Sequence, residues 1–373
     1  MTIVPFRIDI PDADLADLHD RIGRTRWPDQ LDGVGTAYGV PLDRVQKLAE
    51  YWRTGYDWRA HEARLNALPQ FTTEIDGQSI YFIHVRSPEP NALPLLLIHG
   101  WPGSVLEFLD CVGPLTDPRA HGGDPADAFD VVIPAIPGFG FSGPTKDTGW
   151  DVRRVAAAFA VLMRRLGYDR YGAQGGDWGS IISRALANQD PEHVVGVHVN
   201  FLVAPPPKDI DVPLSDTDQA RVDAMRTYMA QPAGYFRQQA TRPQTLAYGL
   251  TDSPVGQLAW IAEKFAEWTD PTSTVSDDLL LTNVMLYWLT GTANSSARIY
   301  YESLAVRGAP MTFDPPLGVA VFPHELVPAV RGLVERQHRV TRWSEFDRGG
   351  HFAALEVPDL LVPDVQAFFR DHR

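Results

Sequence analysis

The residues that could do chemistry begin with an aspartate set between glycines, in the Gly-Gly-Asp-Trp-Gly run at residues 175–179. A turn-forming stretch at residues 170–174 precedes this run, and a helical stretch at residues 180–186 follows it. Small residues around a central polar one are typical of a sharp turn that lifts a side chain above a sheet. Glycine suits such a turn because it tolerates strained dihedral angles and close backbone approach. The run alone is a weak signal, so the rest of the chain must decide whether Asp177 is functional.

Two further candidates follow predicted strands later in the chain. Glu325 comes just after a strand that ends at Phe322, and His351 comes just after the last predicted strand. Taken singly, each has an ordinary explanation, as a solvated loop residue and as a helix-capping histidine. Together with Asp177 they occur in the order nucleophile, acid and histidine, which is the order found in α/β-hydrolases. We therefore predict a catalytic triad of Asp177, Glu325 and His351.

An aspartate nucleophile points to a particular reaction. Aspartate has a pKa of about 3.9, so Asp177 is ionised at neutral pH and can displace a leaving group from an sp3 carbon. The resulting alkyl ester must then be hydrolysed, and we expect His351, oriented by Glu325, to activate the water. The backbone N–H groups of Trp101 and Trp178 are predicted to stabilise the oxyanion of that step. This chemistry favours epoxides or alkyl halides over carboxylic esters as substrates.

The elements that must position these residues alternate between strands and helices. Short apolar runs at residues 95–98, 131–133 and 194–199 predict strands that are buried on both faces. Loops and helical patterns between them predict a mostly parallel central sheet flanked by helices, which is the α/β-hydrolase fold. Asp76-Gly77 lies between two strand-like segments and predicts a β-hairpin.

The pattern changes along the chain divide it into four parts. Helical spacing of apolar residues dominates the beginning, the strand pattern stops near residue 204, and it resumes at residue 317. A helical block inserted into a sheet is the layout of a capped hydrolase. We predict an N-terminal helical meander packing on cap and core at 1–70, the first part of the core at 71–204, a helical cap at 205–310, and the second part of the core at 311–373.

Composition excludes several classes of protein. The 373 residues carry a formal net charge of −14, which argues against nucleic-acid binding. The single cysteine, Cys111, excludes an intramolecular disulfide framework and a cysteine-based zinc site. The first residues lack the pattern of a signal peptide, and no run of about 18 apolar residues occurs. We expect a cytoplasmic protein without a membrane span, a cofactor or a metal, and the sequence says nothing about its oligomeric state.

Several separated motifs resemble those of microsomal-type epoxide hydrolases, and the resemblance covers nearly the whole chain. The matching stretches are the N-terminal meander and residues 99–102, 175–179, 252–256, 279–291, 322–325 and 349–356. The resemblance implies an N-terminal segment that wraps the cap and two cap tyrosines that hold the epoxide oxygen. By local context these tyrosines are Tyr235 and Tyr300, although the adjacent Tyr301 also fits the second position. Animal relatives carry an N-terminal membrane anchor, which we do not expect here.

The chemistry of tyrosine fits that role. A phenol with a pKa of about 10 stays protonated at pH 7 and can donate to the oxygen of an opening epoxide. We therefore predict an epoxide hydrolase that takes an epoxide and water and releases a vicinal diol. Whether the natural epoxide is a xenobiotic, a lipid or a natural-product intermediate stays open.

Two alternatives accompany this prediction. A haloalkane or haloacid dehalogenase would share the turn and the aspartate, with Trp178 as a possible halide donor. Tyr235 and Tyr300 argue against it, as does Trp101, which stands where a halide-binding asparagine could be. A catalytically inactive binding module on the same fold is the third possibility, and the intact Asp177, Glu325 and His351 argue against that one.

Overall fold

The apolar runs of the sequence form one central β-sheet. The computed structural model describes residues 2–204, 214–230, 233–306 and 311–373. Across these residues the strand order in the sheet is β1-β2-β3-β5-β4-β6-β7-β8-β9. The strands are β1 (Val4–Phe6), β2 (Gln70–Ile75), β3 (Gln78–Val85), β4 (Leu93–Ile98), β5 (Phe129–Pro134), β6 (Tyr171–Gly175), β7 (Val194–Val199), β8 (Leu317–Val321) and β9 (Val340–Glu345).

The sheet is parallel from β5 to β9 and antiparallel at its other edge. Strands β5, β4, β6, β7, β8 and β9 pair in parallel, whereas β1, β2 and β3 add to β5 in antiparallel fashion. Asp76 and Gly77 join β2 to β3 with φ angles of 53° and 75°, values that suit a tight hairpin turn. The predicted hairpin and the predicted α/β-hydrolase architecture are both confirmed.

One local prediction was wrong. Residues 170–174 do not form a turn, because Tyr171–Gly175 is strand β6 in the middle of the sheet, between β4 and β7. Every residue of β6 is buried although most of them are small. A Cβ on Gly172 would come within 2.4 Å of the Phe369 ring, so this position of the strand has room only for glycine. Small residues weaken the sequence signal of a strand, which explains the error.

Helices cover both faces of the sheet, and the described ranges contain fifteen of them. They are α1 (Asp12–Gly23), α2 (Leu42–Thr54), α3 (Trp58–Asn66), α4 (Leu109–Thr116), α5 (Val152–Arg165), α6 (Asp177–Gln189), α7 (Asp216–Ala230), α8 (Gly234–Thr241), α9 (Pro243–Asp252), α10 (Pro254–Trp268), α11 (Asp277–Thr290), α12 (Ala293–Ser303), α13 (Arg331–Val334), α14 (Ala353–Glu356) and α15 (Pro358–Arg370). None of the helices in these ranges combines the length and the hydropathy needed to cross a membrane. The predicted cytoplasmic location stays a prediction.

Alternation along the strands builds two hydrophobic layers. Leu96 and Ile98 of β4 belong to the layer that contains α5, α6, the N-terminal helices and the helices between β7 and β8. Leu95 and Leu97 of the same strand belong to the opposite layer, with α4 and α15. Successive side chains of a strand point to opposite faces, so one apolar run supplies both layers.

Helices α1 to α3 lie within the predicted N-terminal meander, and helices α7 to α12 lie within the predicted cap. The sequence pattern anticipated α1 and α2 but not α3 or the edge strand β1. Helices α7 to α12 occur between β7 and β8 in the chain. The proline-rich stretch at residues 205–207, where the pattern was predicted to change, lies outside the described residues. The four-part division of the chain therefore remains a prediction.

Candidate active site

Asp177 lies on the sharp turn between β6 and α6. Its φ angle is 45°, in the left-handed region that a non-glycine residue adopts only under constraint. A Cβ on Gly179 would meet the carbonyl oxygen of Ile98 at 1.8 Å, and a Cβ on Gly100 would meet Asp177 itself at 2.3 Å. Glycine at these two positions lets α6 start directly against the end of β4. The side chain of Asp177 is consequently held at the first residue of a helix, where the helix dipole favours a negative charge.

The two carboxylate oxygens of Asp177 have different partners: one accepts a backbone hydrogen bond, and the other faces a histidine. Oδ1 accepts a hydrogen bond of 2.8 Å from the Trp101 N–H. Oδ2 lies 3.6 Å from Nε2 of His351, and the Asp177 side chain keeps 18% of its exposure. The Trp178 N–H is the next amide after Asp177 in α6. One carboxylate oxygen is thus held by a backbone N–H, and the side chain as a whole stays partly exposed.

Glu325 fixes the orientation of His351. Oε1 of Glu325 lies 2.7 Å from Nδ1 of His351, and both side chains are buried. The same oxygen accepts the Leu326 N–H at 2.7 Å. A carboxylate at this position requires the proton of the neutral imidazole on Nδ1, which leaves Nε2 free to accept a proton on the side of Asp177. The structure therefore brings the three predicted triad residues together.

Two carboxylates surround the imidazole and raise its pKa. Burial opposes the positive charge of His351, but Glu325 and Asp177 favour it more strongly, so its pKa lies well above the usual 6.5. Both carboxylates therefore favour the protonated form of the imidazole. If Asp177 lost its charge, one of the two groups that raise this pKa would be gone.

Two further carboxylates anchor the loop that carries His351 to the end of α10. Asp270 accepts the Gly349 N–H at 2.7 Å, and Glu356 accepts the Asp270 N–H at 2.8 Å and the Phe352 N–H at 2.9 Å. The His351 N–H donates to the carbonyl oxygen of Trp268 at 3.0 Å. These bonds join the loop after β9 to the helix that precedes Asp270, so the position of His351 depends on both.

Tyr235 and Tyr300 pack against the rings of Trp101 and Trp178. The Tyr235 ring stacks on Trp101 with 5.3 Å between centroids, and the Tyr300 ring packs edge-on against Trp178 at 4.7 Å. The two tyrosine rings are 6.1 Å apart, and both residues are buried. Tyr301, by contrast, is 53% exposed. Of the two adjacent candidates, Tyr300 is therefore the one that faces the interior.

Both phenols keep their protons at neutral pH. Burial raises the pKa of Tyr235 and of Tyr300 well above the usual 10, and the negative charge of Asp177 raises both further. A group that holds its proton this firmly donates a hydrogen bond but does not lose the proton to water. The two hydroxyl groups are thus suited to donate hydrogen bonds to an oxygen that gains negative charge.

Comparison with known proteins identifies the family. Residues 3–108 match the sequence model of the epoxide hydrolase N terminus, and residues 94–240 match that of the alpha/beta hydrolase fold. Epoxide hydrolase 1 of Sus scrofa is 36% identical over 98% of this chain and 88% of its own length. The chain belongs to the epoxide hydrolase family. A Stigmatella aurantiaca relative that bears the provisional name epoxide hydrolase is 48% identical over 100% of this chain and 86% of its own length.

Solved structures agree with this membership. The crystal structure of juvenile hormone epoxide hydrolase from the silkworm Bombyx mori superposes with a TM-score of 0.92 at 31% identity, covering 100% of this chain and 95% of that one. The prediction of an epoxide hydrolase is therefore confirmed, and the dehalogenase and binding-module alternatives are not favoured.

Sequence reasoning missed the buried acids near the triad of this epoxide hydrolase, Glu107 as well as Asp270. Glu107 lies on a 3₁₀ turn (Val105–Phe108) directly after the loop at residues 99–104, and it is only 9% exposed. Burial raises its pKa to about 8, and the charge of Asp177 contributes in the same direction, whereas His351 opposes the shift. A lone glutamate in the otherwise apolar stretch 105–109 was the available signal. Glu107 therefore holds a proton close to the triad at neutral pH.

Proposed function

We propose that this epoxide hydrolase opens its substrate by attack of Asp177 on an epoxide carbon. The observation that supports this most directly is the turn itself, which leaves the Asp177 side chain 18% exposed and holds its Oδ1 on the Trp101 N–H at 2.8 Å. The attacking oxygen forms a C–O bond while the carbon–oxygen bond of the epoxide breaks. The product of this step is a hydroxyalkyl ester on Asp177.

Tyr235 and Tyr300 receive the epoxide oxygen in this proposal. As the ring opens, the oxygen gains negative charge and becomes a stronger base than the phenols, so one of them transfers its proton to it. Until that proton has moved, the second phenol stabilises the charge developing on the oxygen through a hydrogen bond. The tyrosinate that is left recovers a proton released by His351, since the charge of Asp177 no longer holds that proton on the imidazole.

Hydrolysis of the ester follows with His351 as the base. Conversion of Asp177 to a neutral ester removes one of the two groups that raise the pKa of His351, and the imidazole can then take a proton from water. The hydroxide attacks the carbonyl carbon of the Asp177 ester, and the Trp101 and Trp178 N–H groups bind the oxyanion that forms on its carbonyl oxygen. When the bond between the Asp177 carbonyl carbon and the diol oxygen breaks, that oxygen takes the proton that His351 received from water. The new carboxyl group of Asp177 then gives its proton to His351, which restores the starting charges.

The aromatic rings packed around Tyr235 indicate the kind of epoxide. Trp101, Trp268 and Phe236 surround Tyr235, with centroid distances of 5.3, 5.3 and 6.4 Å. Aromatic walls bind apolar groups through buried area and ring contacts. We therefore propose substrates whose epoxide carries an aliphatic or aryl substituent, with water as the second substrate.

A trapping experiment tests the two-step reaction. His351→Gln should still form the ester but hydrolyse it slowly, so intact-protein mass spectrometry after mixing with styrene oxide should show enzyme heavier by one substrate mass. His193→Gln is a matched control, because His193 also pairs with a carboxylate, Asp190, at 2.7 Å. That variant should turn over normally and show no adduct.

Isotope labelling separates this mechanism from direct attack by water. After a single turnover in heavy-oxygen water, the label should enter the carboxylate of Asp177 and be found by peptide mass analysis. Unmodified His351→Gln protein at saturating epoxide, together with label in the diol alone, would sink the proposal.

A further inference from the structure

Helix α11 lies between the N-terminal meander and the active site, and the proposed mechanism gives it no role. The stretch at residues 279–291 is one of those that carry the resemblance to the family. Side chains on one side of α11 contact α2, whereas those on another side contact the loop at residues 99–104, which supplies the Trp101 N–H.

Two side chains of α11 hold consecutive peptide groups of the loop. Asn283 Nδ2 donates to the carbonyl oxygen of Pro102 at 2.6 Å, and Asn283 Oδ1 accepts from the Ser104 hydroxyl at 2.7 Å. The Tyr287 hydroxyl donates to the carbonyl oxygen of Gly103 at 2.6 Å. Asn283 and Tyr287 are four residues apart and therefore lie on the same face of the helix. Both residues are buried, as is Ser104.

The loop is held at its start by His99, whose Nδ1 lies 2.9 Å from the carbonyl oxygen of Gly100. Gly100 and Gly103 carry no side chains, and a Cβ on Gly103 would overlap Glu107 Oε1 at 1.5 Å. On its other side the loop donates the Trp101 N–H to Asp177. The Trp101 N–H shares a planar peptide group with the Gly100 carbonyl, which His99 holds. The bonds from α11 to the Pro102 and Gly103 carbonyl groups fix the chain on the other side of Trp101.

We propose that Asn283 and Tyr287 are positioning residues that aim the Trp101 N–H at the Asp177 carboxyl group and thereby speed hydrolysis of the ester. This inference rests on the proposed two-step mechanism. Negative charge leaves Asp177 while the ester forms, but it develops on the oxygen facing Trp101 while the ester is hydrolysed. A misaligned N–H therefore slows the second step more than the first, because only the second transition state gains from it.

The opposite side of α11 offers a matched control. The Tyr56 hydroxyl lies 2.9 Å from the Thr282 hydroxyl, on the side that faces the meander. Tyr56→Phe removes a phenol hydrogen bond to the same helix, as Tyr287→Phe does, but it leaves every contact with the 99–104 loop in place. A purely structural role of α11 would give the two variants the same kinetic behaviour.

Rapid-quench mass spectrometry of the full-length enzyme with styrene oxide provides the measurement. In Tyr287→Phe we expect ester hydrolysis to slow by about tenfold, less than the loss of roughly 10²-fold or more that follows removal of an oxyanion donor. Ester formation should stay within about twofold of the native rate, so most of the enzyme carries the ester at steady state. Tyr56→Phe should keep the native ratio of the two rates, and Asn283→Ala should shift it further than Tyr287→Phe does.

The outcome that would overturn this inference is equally definite. If Tyr287→Phe leaves the ratio of the two rates at the native value, whether or not both steps become slower, α11 supports the loop without aligning the N–H. The His351→Gln experiment keeps this result apart from a failure of the mechanism. An adduct in His351→Gln with a native ratio in Tyr287→Phe would sink the positioning role alone, whereas no adduct in His351→Gln would sink both.

Discussion

Asp177 and Glu325 are both carboxylates beside His351, and their surroundings give them different tasks. The Glu325 side chain is 3% exposed. Its Oε1 accepts a hydrogen bond from the Leu326 N–H and lies 2.7 Å from Nδ1 of His351. The Asp177 side chain is 18% exposed, and its Oδ2 stays 3.6 Å from the imidazole. Because an attacking group must be reachable and an orienting group must be fixed, the geometry supports Asp177 as the nucleophile and Glu325 as the partner of His351.

Glu107 provides a prediction about pH. The folded protein holds the Glu107 proton up to a pKa of about 8, whereas the usual value is 4.5, so the folded state binds the extra proton between these values. The free energy of unfolding therefore falls as the pH rises from 4.5 to 8, by up to about 1.4 kcal/mol per pH unit. Glu107→Gln cannot ionise and should lack this part of the slope. Urea unfolding at pH 5, 6, 7 and 8 measures it.

An exposed glutamate serves as the control for that experiment. The Glu335 side chain is 43% exposed and pairs with Arg331, and Glu335→Gln should keep the native dependence on pH. If Glu107→Gln and the native protein lose stability in parallel between pH 5 and 8, Glu107 is ionised in the folded state and our account of it is wrong.

At the scale of elements, the contact between α6 and β4 decides whether the turn at Asp177 can form. Helix α6 comes so close to the end of β4 that residue 179 has no room for a side chain. The obstacle is the backbone carbonyl of Ile98, which cannot rotate away as a side-chain end could. The glycine pattern of residues 175–179 thus reflects packing between elements as well as the dihedral angles of the turn.

A pair of glycine substitutions tests this account. Gly179→Ala should destabilise the protein by about 3 kcal/mol or more, since the new methyl group would overlap a backbone atom at 1.8 Å. Gly249→Ala is the control, because residue 249 lies inside α9 with no atom within 4 Å of the new methyl group. That change should stabilise the helix by roughly 0.5–1 kcal/mol. A native midpoint of thermal unfolding in Gly179→Ala would contradict the packing argument.

At the scale of the whole molecule, the N-terminal meander binds the helices above the sheet mainly through apolar burial. Trp52 of α2 is fully buried and donates to the sulfur of Met285 in α11 at 3.2 Å. Arg44 also reaches α11, through an ion pair with Asp277 whose side chains are 45% and 40% exposed. Exposed ion pairs contribute little because water screens them, so the buried tryptophan should dominate this interface.

The comparison of Trp52→Ala with Arg44→Ala measures which contact holds the meander. We expect Trp52→Ala to lower the free energy of unfolding by about 3–5 kcal/mol, through lost burial and the cavity left behind. Arg44→Ala should cost less than about 1 kcal/mol. Denaturant titrations of both variants in the same buffer give the two numbers. An equal or larger loss in Arg44→Ala would mean that charge, and not apolar burial, joins the meander to α11.

Much of the fold could be predicted because its signals are local. Apolar runs marked β4, β5 and β7, and the Asp76-Gly77 dipeptide marked the hairpin, since periodicity and turn preference act over a few residues. Strand β6 was missed because close packing had replaced its apolar side chains with small ones. The edge strand β1 and the short helix α3 have too few residues to establish a period.

The candidate site divides in the same way. The sequence alone determined which residues could act as nucleophile, acid and base, because side-chain chemistry and order along the strands are properties of the chain itself. Only the tertiary structure decided that Tyr300 faces inward and Tyr301 outward, since adjacent helix positions point about 100° apart. Only the tertiary structure brought Glu107 close to the triad and Asn283 and Tyr287 onto the 99–104 loop. Burial and contacts between distant segments depend on how the elements pack, and no local pattern records that.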